Sequence, residues 1–367
     1  MNRRMKRIFI AATKQNDGKT TVALGLISNF KMVFKRIGFI KPVGQRYLEE
    51  GGFKVDEDSV LIEDSLKLCG IKCKLKDMSP VAVGKGFTED YIASPFRKTI
   101  TQQIKESFKR VSRKQNLVII EGTGHAGVGS VFDHSNAVVA KLLGSKAILI
   151  SSGGIGRPID EIVLNKALFD KEGVKLLGVI INKVMPNKFA KINRLVRRGL
   201  KRKGIEVLGV IPYNPSLSYP TVRQILEEGD YKTLFSCSDA SLDNHVAKIV
   251  VGAMQPKEAV KYIVDNSLVI TPGDREDIIR LALDLYGRGC KVSGIVLTGD
   301  LIPSQDFIRQ TQDASIPVLL AKSDTYTTAS VVHGLTVKIR PTDKEKIKTV
   351  KNLIHDYVDL DMIVKRM

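Results

Sequence analysis

The chain has 367 residues, 43% hydrophobic and 26% charged, a balance that excludes disorder and supplies apolar surface for two domains of ordinary size. Lys and Arg number 58 against 39 Asp and Glu, a formal charge of +19, so anionic ligands come first among the partners to consider. Four cysteines, Cys69, Cys73, Cys237 and Cys290, are too few for a disulfide scaffold, and Cys69 and Cys73 lack the second pair of a zinc site.

In chain order, the apolar run 8–12 behind the basic N-terminus is too short for a signal peptide, and nothing approaches the ~18 apolar residues of a membrane span. A cytoplasmic location and no membrane contact are expected. Continuous apolar runs at 7–12, 36–40, 116–120, 146–151, 176–181 and 206–211 alternate with helix-like stretches. Unbroken rather than alternating hydrophobicity marks strands buried on both faces, and the stretches between them supply right-handed crossovers. The expected architecture is α/β, a doubly wound parallel sheet whose ligands sit at the carboxyl ends of the strands.

Directly after the first run stands Thr13-Lys14-Gln15-Asn16-Asp17-Gly18-Lys19-Thr20-Thr21, followed by a helix-like stretch at 22–30. Gly18, Lys19 and Thr20 match the end of the phosphate loop G-x-x-x-x-G-K-[ST], and Thr13 stands where that pattern has its first Gly. In such a loop backbone amides close on phosphates, the Lys reaches the terminal phosphates and the hydroxyl takes magnesium. ATP and Mg²⁺ are therefore the expected cofactors, with Thr13, Asn16, Asp17, Gly18, Lys19, Thr20 and Thr21 as the cradle. The alternative for this stretch is an ordinary helix start capped by Asp17.

Charge divides the chain. Residues 1–212 carry 39 Lys and Arg against 19 Asp and Glu, and residues 213–367 carry 19 against 20. The turn-rich stretch 213–220 is the expected boundary, giving domains at 1–215 and 216–367, the second ending in a carboxyl-terminal helix. Part of the basic excess lies in Lys188, Lys191, Arg194, Arg197, Arg198, Lys201, Arg202 and Lys203, on a helix whose apolar side is Phe189, Ile192, Leu195 and Leu200. This reads as a solvated helix face, and nucleic acid is not favoured as a partner. In the second domain, short strands at 268–270, 295–297, 318–320 and 337–339 each run into a turn with an acid (Asp274, Asp300, Asp324, Asp343), placed to cap a following helix. Helices are expected at 274–287 and 343–358.

Four segments then resemble the dethiobiotin synthetase branch of P-loop ATPases. These are the phosphate loop, Gly38-Phe39-Ile40-Lys41-Pro42-Val43, Val118-Ile119-Ile120-Glu121-Gly122-Thr123-Gly124, and the pair Gly178-Val179-Ile180-Ile181-Asn182-Lys183 with Leu208-Gly209-Val210-Ile211-Pro212. The resemblance implies that Lys41 lies beside the transferred phosphate, that Asp58 and Glu121 join Thr20 on the metal, and that the loops at Asn182 and Pro212 hold adenine. Lys14 is similar to the signature lysine of ParA- and MinD-type loops, which contacts nucleotide across a dimer. A catalytic set of Lys19, Lys41 and Lys14 and a homodimer are implied.

A closer match is the BioD-like amino-terminal module of long phosphotransacetylases, in which such a domain precedes a DRTGG domain. Residues 222–340 resemble that second, smaller α/β module through Val251-Gly252-Ala253-Met254, Thr271-Pro272-Gly273-Asp274-Arg275-Glu276-Asp277-Ile278 and Asp324-Thr325-Tyr326-Thr327-Thr328-Ala329. Only Asp274 and Arg275 survive of the motif's name. Acetyl transfer is not expected, since the chain stops at Met367, and the diamino-acid pocket of the synthetase is not recognisable. The reading favoured is an ATP-dependent ligase-like or regulatory ATPase acting on an unidentified small molecule, with the DRTGG-like domain as sensor or dimer platform. The alternatives are a non-catalytic ATP switch acting on a protein partner and a ParA-like nonspecific DNA-binding ATPase.

Overall fold

Strand β1 (Lys6–Ala12) is fully buried from Ile8 onward, as a strand sandwiched between helix layers must be. In the computed structural model, residues 5–45, 47–50, 52–67, 74–234, 238–311, 316–335 and 337–367 are described. They fall into two compact units, Met1–Asn214 with Ile339–Met367, and Pro215–Lys338.

All six apolar runs of the first region join one sheet in the order Val207–Pro212, Leu176–Val184, Lys146–Ser152, β1, Leu117–Glu121 and β2 (Ile37–Ile40). Every pairing is parallel. Strand order reverses beside β1, so the loop leaving β1 opens into the crevice where doubly wound sheets bind ligands. That loop leads into helix α1 (Lys19–Phe30), which is almost wholly buried. One core cluster joins Phe9 and Ala11 to Ile104, Phe108, Ile162, Phe169, Ile192 and Val196.

The second unit has a five-stranded sheet in the order Lys232–Thr233, Val318–Leu320, Gly294–Thr298, Ser267–Pro272, Lys248–Val251. Its first strand is antiparallel and the rest are parallel. Two corrections arise. Residues 337–339 form no strand; Lys338 spends its carbonyl on the Gln224 side chain, 2.8 Å away. The sheet is completed instead by Lys248–Val251 and Lys232–Thr233. Of the four acids expected as caps, Asp324 accepts from the amides of Tyr326 and Thr327 at 2.9 and 3.1 Å. Asp274 and Asp343 make no such side-chain cap on the helices they precede.

The larger correction concerns the carboxyl-terminal helix, expected in the second domain. The helix Lys344–Tyr357 packs against α1 in the first unit, with Ile354 and Val350 seated over Gly25. Asn29 donates from Nδ2 to the Lys351 carbonyl at 3.0 Å, and the Asp359 amide donates to the Leu208 carbonyl at 2.8 Å. An amphipathic pattern shows that a helix has a face to bury, but not which neighbour covers it. Cys290 is a free thiol, and Cys69, Cys73 and Cys237 lie outside the described residues.

Candidate nucleotide site

Gly18 initiates α1 with φ +98°, and a Cβ there would stand 2.3 Å from the Asn182 side-chain nitrogen. Both facts require glycine. Asn16 is also left-handed, at φ 65°, so the loop takes the sharp path of a phosphate cradle. Asp17 does not cap the helix, contrary to the alternative reading. Its buried carboxylate turns inward, accepting from the Thr13 hydroxyl at 2.8 Å, the Lys14 amide at 3.0 Å and the Ser152 hydroxyl. Thr13, in place of the first glycine of the pattern, needs no positive φ, and its hydroxyl also reaches Ser151 at 3.1 Å.

Strand register brings a second layer of support. Ser152 pairs with Asn182 across the sheet, and Asn182 Nδ2 donates to the Asp17 carbonyl at 2.9 Å while Lys183 Nζ donates to the Asn16 carbonyl at 2.7 Å. Asn165 donates from Nδ2 to the Thr13 carbonyl at 3.4 Å and accepts from the Ala126 amide at 2.8 Å. Lys14 and Thr21 are half-buried, and Pro212 ends its strand beside Val184. Lys14 lies within electrostatic reach of Glu161, whose carboxyl is held below the usual range by Arg157 and by this lysine.

The expected metal and phosphate residues meet at the carboxyl ends of three adjoining strands. Glu121 is completely buried beside β1, and its Oε1 accepts from the Thr20 hydroxyl at 2.8 Å. Lys41, one residue past β2, sits among three carboxylates: Asp56 at 2.8 Å, Asp58 in hydrogen-bonding contact, and Glu121 at 3.9 Å. Asp56 was not singled out from the sequence. It accepts from the Asp58 amide at 3.0 Å, which sets the start of the helix Glu57–Lys67. The signal available was the Asp-Glu-Asp run itself, with no way to tell which acid turns inward.

The electrostatics follow from burial. Desolvation pulls Lys19 below its ordinary range against the attraction of Glu121. For Lys41 burial works the same way, but Asp58, Glu121 and Asp56 outweigh it and hold the ammonium charged. Burial, with the nearby Asp58 charge, pushes Glu121 up to about 7, and burial raises Asp56 as well. Glu121 Oε2 is buried with no hydrogen-bond partner, an orphaned acceptor beside Lys19 and Lys41 that a cation would satisfy. Among the described residues no three His, Cys, Asp or Glu side chains form a ready-made metal cage. A magnesium ion carried with phosphates needs only one or two protein oxygens, the rest coming from water and phosphate, so Thr20 and Glu121 fit it.

In the second unit, Arg275 is occupied. Its guanidinium pairs with Asp277 at 2.8 and 2.9 Å and donates to the Met254 carbonyl at 3.0 Å, clamping the segment after Lys248–Val251.

A sequence model described as AAA domain matches residues 6–221, more than half of the chain, and one described as DRTGG domain matches residues 232–335. The chain belongs to the AAA domain family. It combines that P-loop, BioD-like module with a DRTGG domain. Curated relatives include phosphate acetyltransferases of Pseudomonas putida, 26% identical over 99% of this chain and 52% of theirs, and of Nitrosomonas europaea, 24% identical over 99% and 52%. The chain spans about half the length of the curated relatives it matches. Among solved structures, the septum site-determining protein MinD of Pyrococcus horikoshii complexed with Mg-ADP is 18% identical with a TM-score of 0.37, covering 58% of this chain and 84% of that one. The CBS and DRTGG domains of Clostridium perfringens pyrophosphatase, complexed with diadenosine tetraphosphate, are 16% identical with a TM-score of 0.27, covering 47% and 85%. The fold assignment rests on the strand order and register described above. No helix among the described residues is long and apolar enough to cross a membrane.

Proposed function

We propose that the first unit of this AAA-family chain binds Mg-ATP in the loop 13–21 and acts as an ATP-dependent ligase-like or regulatory ATPase on a small molecule. The observation that carries this reading is the hydrogen-bonded pair of half-buried Thr20 and fully buried Glu121, with one carboxylate oxygen unpartnered, directly beside Lys19 and a left-handed Gly18. Lys19 holds the terminal phosphates, the loop amides take the inner ones, and Thr20 and Glu121, with Asp58 beside them, hold the metal. Bound magnesium supplies neutralisation of the charge that develops on the transferred phosphoryl group. The position of Asn182 and Pro212 toward the carboxyl ends of the strands Leu176–Val184 and Val207–Pro212 supports an adenine site between their loops. Its DRTGG partner module supports a sensing role, with a second copy of the chain as the expected assembly.

A second reading, an ATP switch that reports to a partner without turnover, is favoured by Lys41. Phosphoryl transfer needs an ammonium facing phosphate, whereas Lys41 is enclosed by Asp56, Asp58 and Glu121. Calorimetric titration with ATP, with and without Mg²⁺, tests the common core. Wild type binds with magnesium dependence, Lys19→Ala loses at least tenfold in affinity, and Glu121→Gln loses the magnesium dependence. No ATP binding by wild type refutes both readings. Turnover measured across a panel of small carboxylates separates them: substrate-stimulated hydrolysis absent from Lys41→Ala supports the enzyme, and unstimulated binding supports the switch.

A further inference from the structure

The helix Phe189–Lys201 and its flanks carry the densest charge of the chain, and residues 185–205 contain no Asp or Glu. Ile192, Val196 and Leu200 are buried, so the apolar stripe of this helix is spent in the core. Lys188, Lys191, Arg194, Arg198, Lys201 and Arg202 are all exposed. Among the described residues none of these six takes part in an ion pair. The nearest acid in sequence, Glu206, is already paired with Arg366 at 3.3 Å, and Arg197 is turned away to donate to the Val207 carbonyl at 2.8 Å. Lys191, Arg194, Arg198 and Lys201 follow each other by three or four residues, which places them in one row about 5 Å apart on a single helix face.

Mutual repulsion along such a row destabilises the helix, and nothing in the ATP site calls for it. We infer that this face is a docking surface for the phosphate backbone of a nucleic-acid duplex. The chemistry of the face selects that partner over two others. A membrane-surface helix needs a free apolar side, and here that side is buried. A protein interface depletes Lys and sets charges of both signs in a pattern, and here one sign runs the whole length. Duplex backbone, a continuous line of negative charge, matches a row of cations over about 15 Å. Single strands are disfavoured, because they are gripped by exposed aromatics, and the one aromatic of the helix, Phe189, packs edge-on against Tyr357 with ring centroids 5.6 Å apart. Contacts of this kind read no sequence.

The test is fluorescence anisotropy of the full chain with labelled duplex DNA and duplex RNA, beside phosphatidylserine vesicles and polyglutamate, from about 50 to 200 mM salt. About five phosphate contacts give a log–log salt slope near −4.5, a loss on the order of several hundred-fold across that range. The combined substitution Arg194→Glu, Arg198→Glu, Lys201→Glu removes duplex binding, and the same three positions changed to Gln leave it weakened with a shallower slope. Circular dichroism of each variant matching wild type shows that the fold is retained. Absence of duplex binding at the lowest salt, binding that the substitutions leave unchanged, or tighter binding to vesicles or polyglutamate overturns the inference.

Discussion

Replacing Gly25 with Ala should destabilise α1, although helix propensity alone argues the reverse. In an open helix the change gains roughly 0.8–1.0 kcal/mol. Here the new methyl carbon would stand 2.2 Å from Ile354 Cγ1, 3.0 Å from Ile354 Cβ and 3.2 Å from Val350 Cγ1. Ile354 is 1% exposed and Val350 fully buried, so neither has room to swing away, and overpacking of this kind costs typically ~1–3 kcal/mol. Net destabilisation of about 0–2 kcal/mol is expected, toward the upper end because the nearest approach is only 2.2 Å. In an Ile354→Ala background, itself weakened by about 2–5 kcal/mol through the cavity it leaves, the 2.2 Å clash with Cγ1 is gone, the approaches of 3.0 Å to the remaining Cβ and 3.2 Å to Val350 Cγ1 can relax into the cavity, and Gly25→Ala becomes stabilising. The two backgrounds therefore differ by about 1–3 kcal/mol with a change of sign, a coupling characteristic of residues in contact. Native-state hydrogen exchange of the α1 amides is the appropriate readout, since two units need not unfold together. Increased protection of α1 by Gly25→Ala in the parent, or the same sign in both backgrounds, refutes the placement of the carboxyl-terminal helix on α1.

A chain ending at Lys338 removes that helix and should lose ATP binding through loss of the first unit's fold, while circular dichroism retains the signal of the second. Asn182→Ala breaks the brace on the Asp17 carbonyl and should weaken ATP binding several-fold in calorimetric titration while lowering stability by about 1 kcal/mol in denaturant titration, the worth of one buried hydrogen bond. His134 is buried, donating from Nδ1 to the Phe132 carbonyl at 2.7 Å and accepting at Nε2 from the Thr101 hydroxyl at 2.9 Å. Burial lowers its pKa below the ordinary imidazole value, so the unfolded chain takes up the proton first as pH falls. The contribution of His134 is thus full above an unfolded pKa near 6.5 and declines below it; the difference in unfolding midpoint between wild type and His134→Gln should narrow as pH drops from 7.5 to 5. Arg275→Lys should be nearly as disruptive to the second unit as Arg275→Ala, by about 1–2 kcal/mol in denaturant titration, because an ammonium cannot span Asp277 and the 252–254 carbonyls as the planar fork does.

What the sequence determined is local in character. Six continuous apolar runs announced six buried parallel strands, and Gly-Lys-Thr after the first of them located the phosphate loop, because the left-handed turn at Gly18 and the start of α1 are consequences of adjacent residues. Asp324 was legible as a cap for the same reason. Burial and partner choice were decided only in three dimensions. Asp56 and Asp58 are two residues apart and chemically alike, and that both close on Lys41 together with Glu121 depends on strand ends about 60 residues distant in the chain. Lys41 carries the motif of a phosphate lysine, but the tertiary arrangement surrounds it with acids. The carboxyl-terminal helix was legible as a helix but its neighbour was not, and only the fold seated Ile354 over Gly25. Residues near in sequence share a backbone geometry that their own side chains dictate, whereas residues far apart meet through hydrophobic burial, which is non-directional and records no address in the sequence.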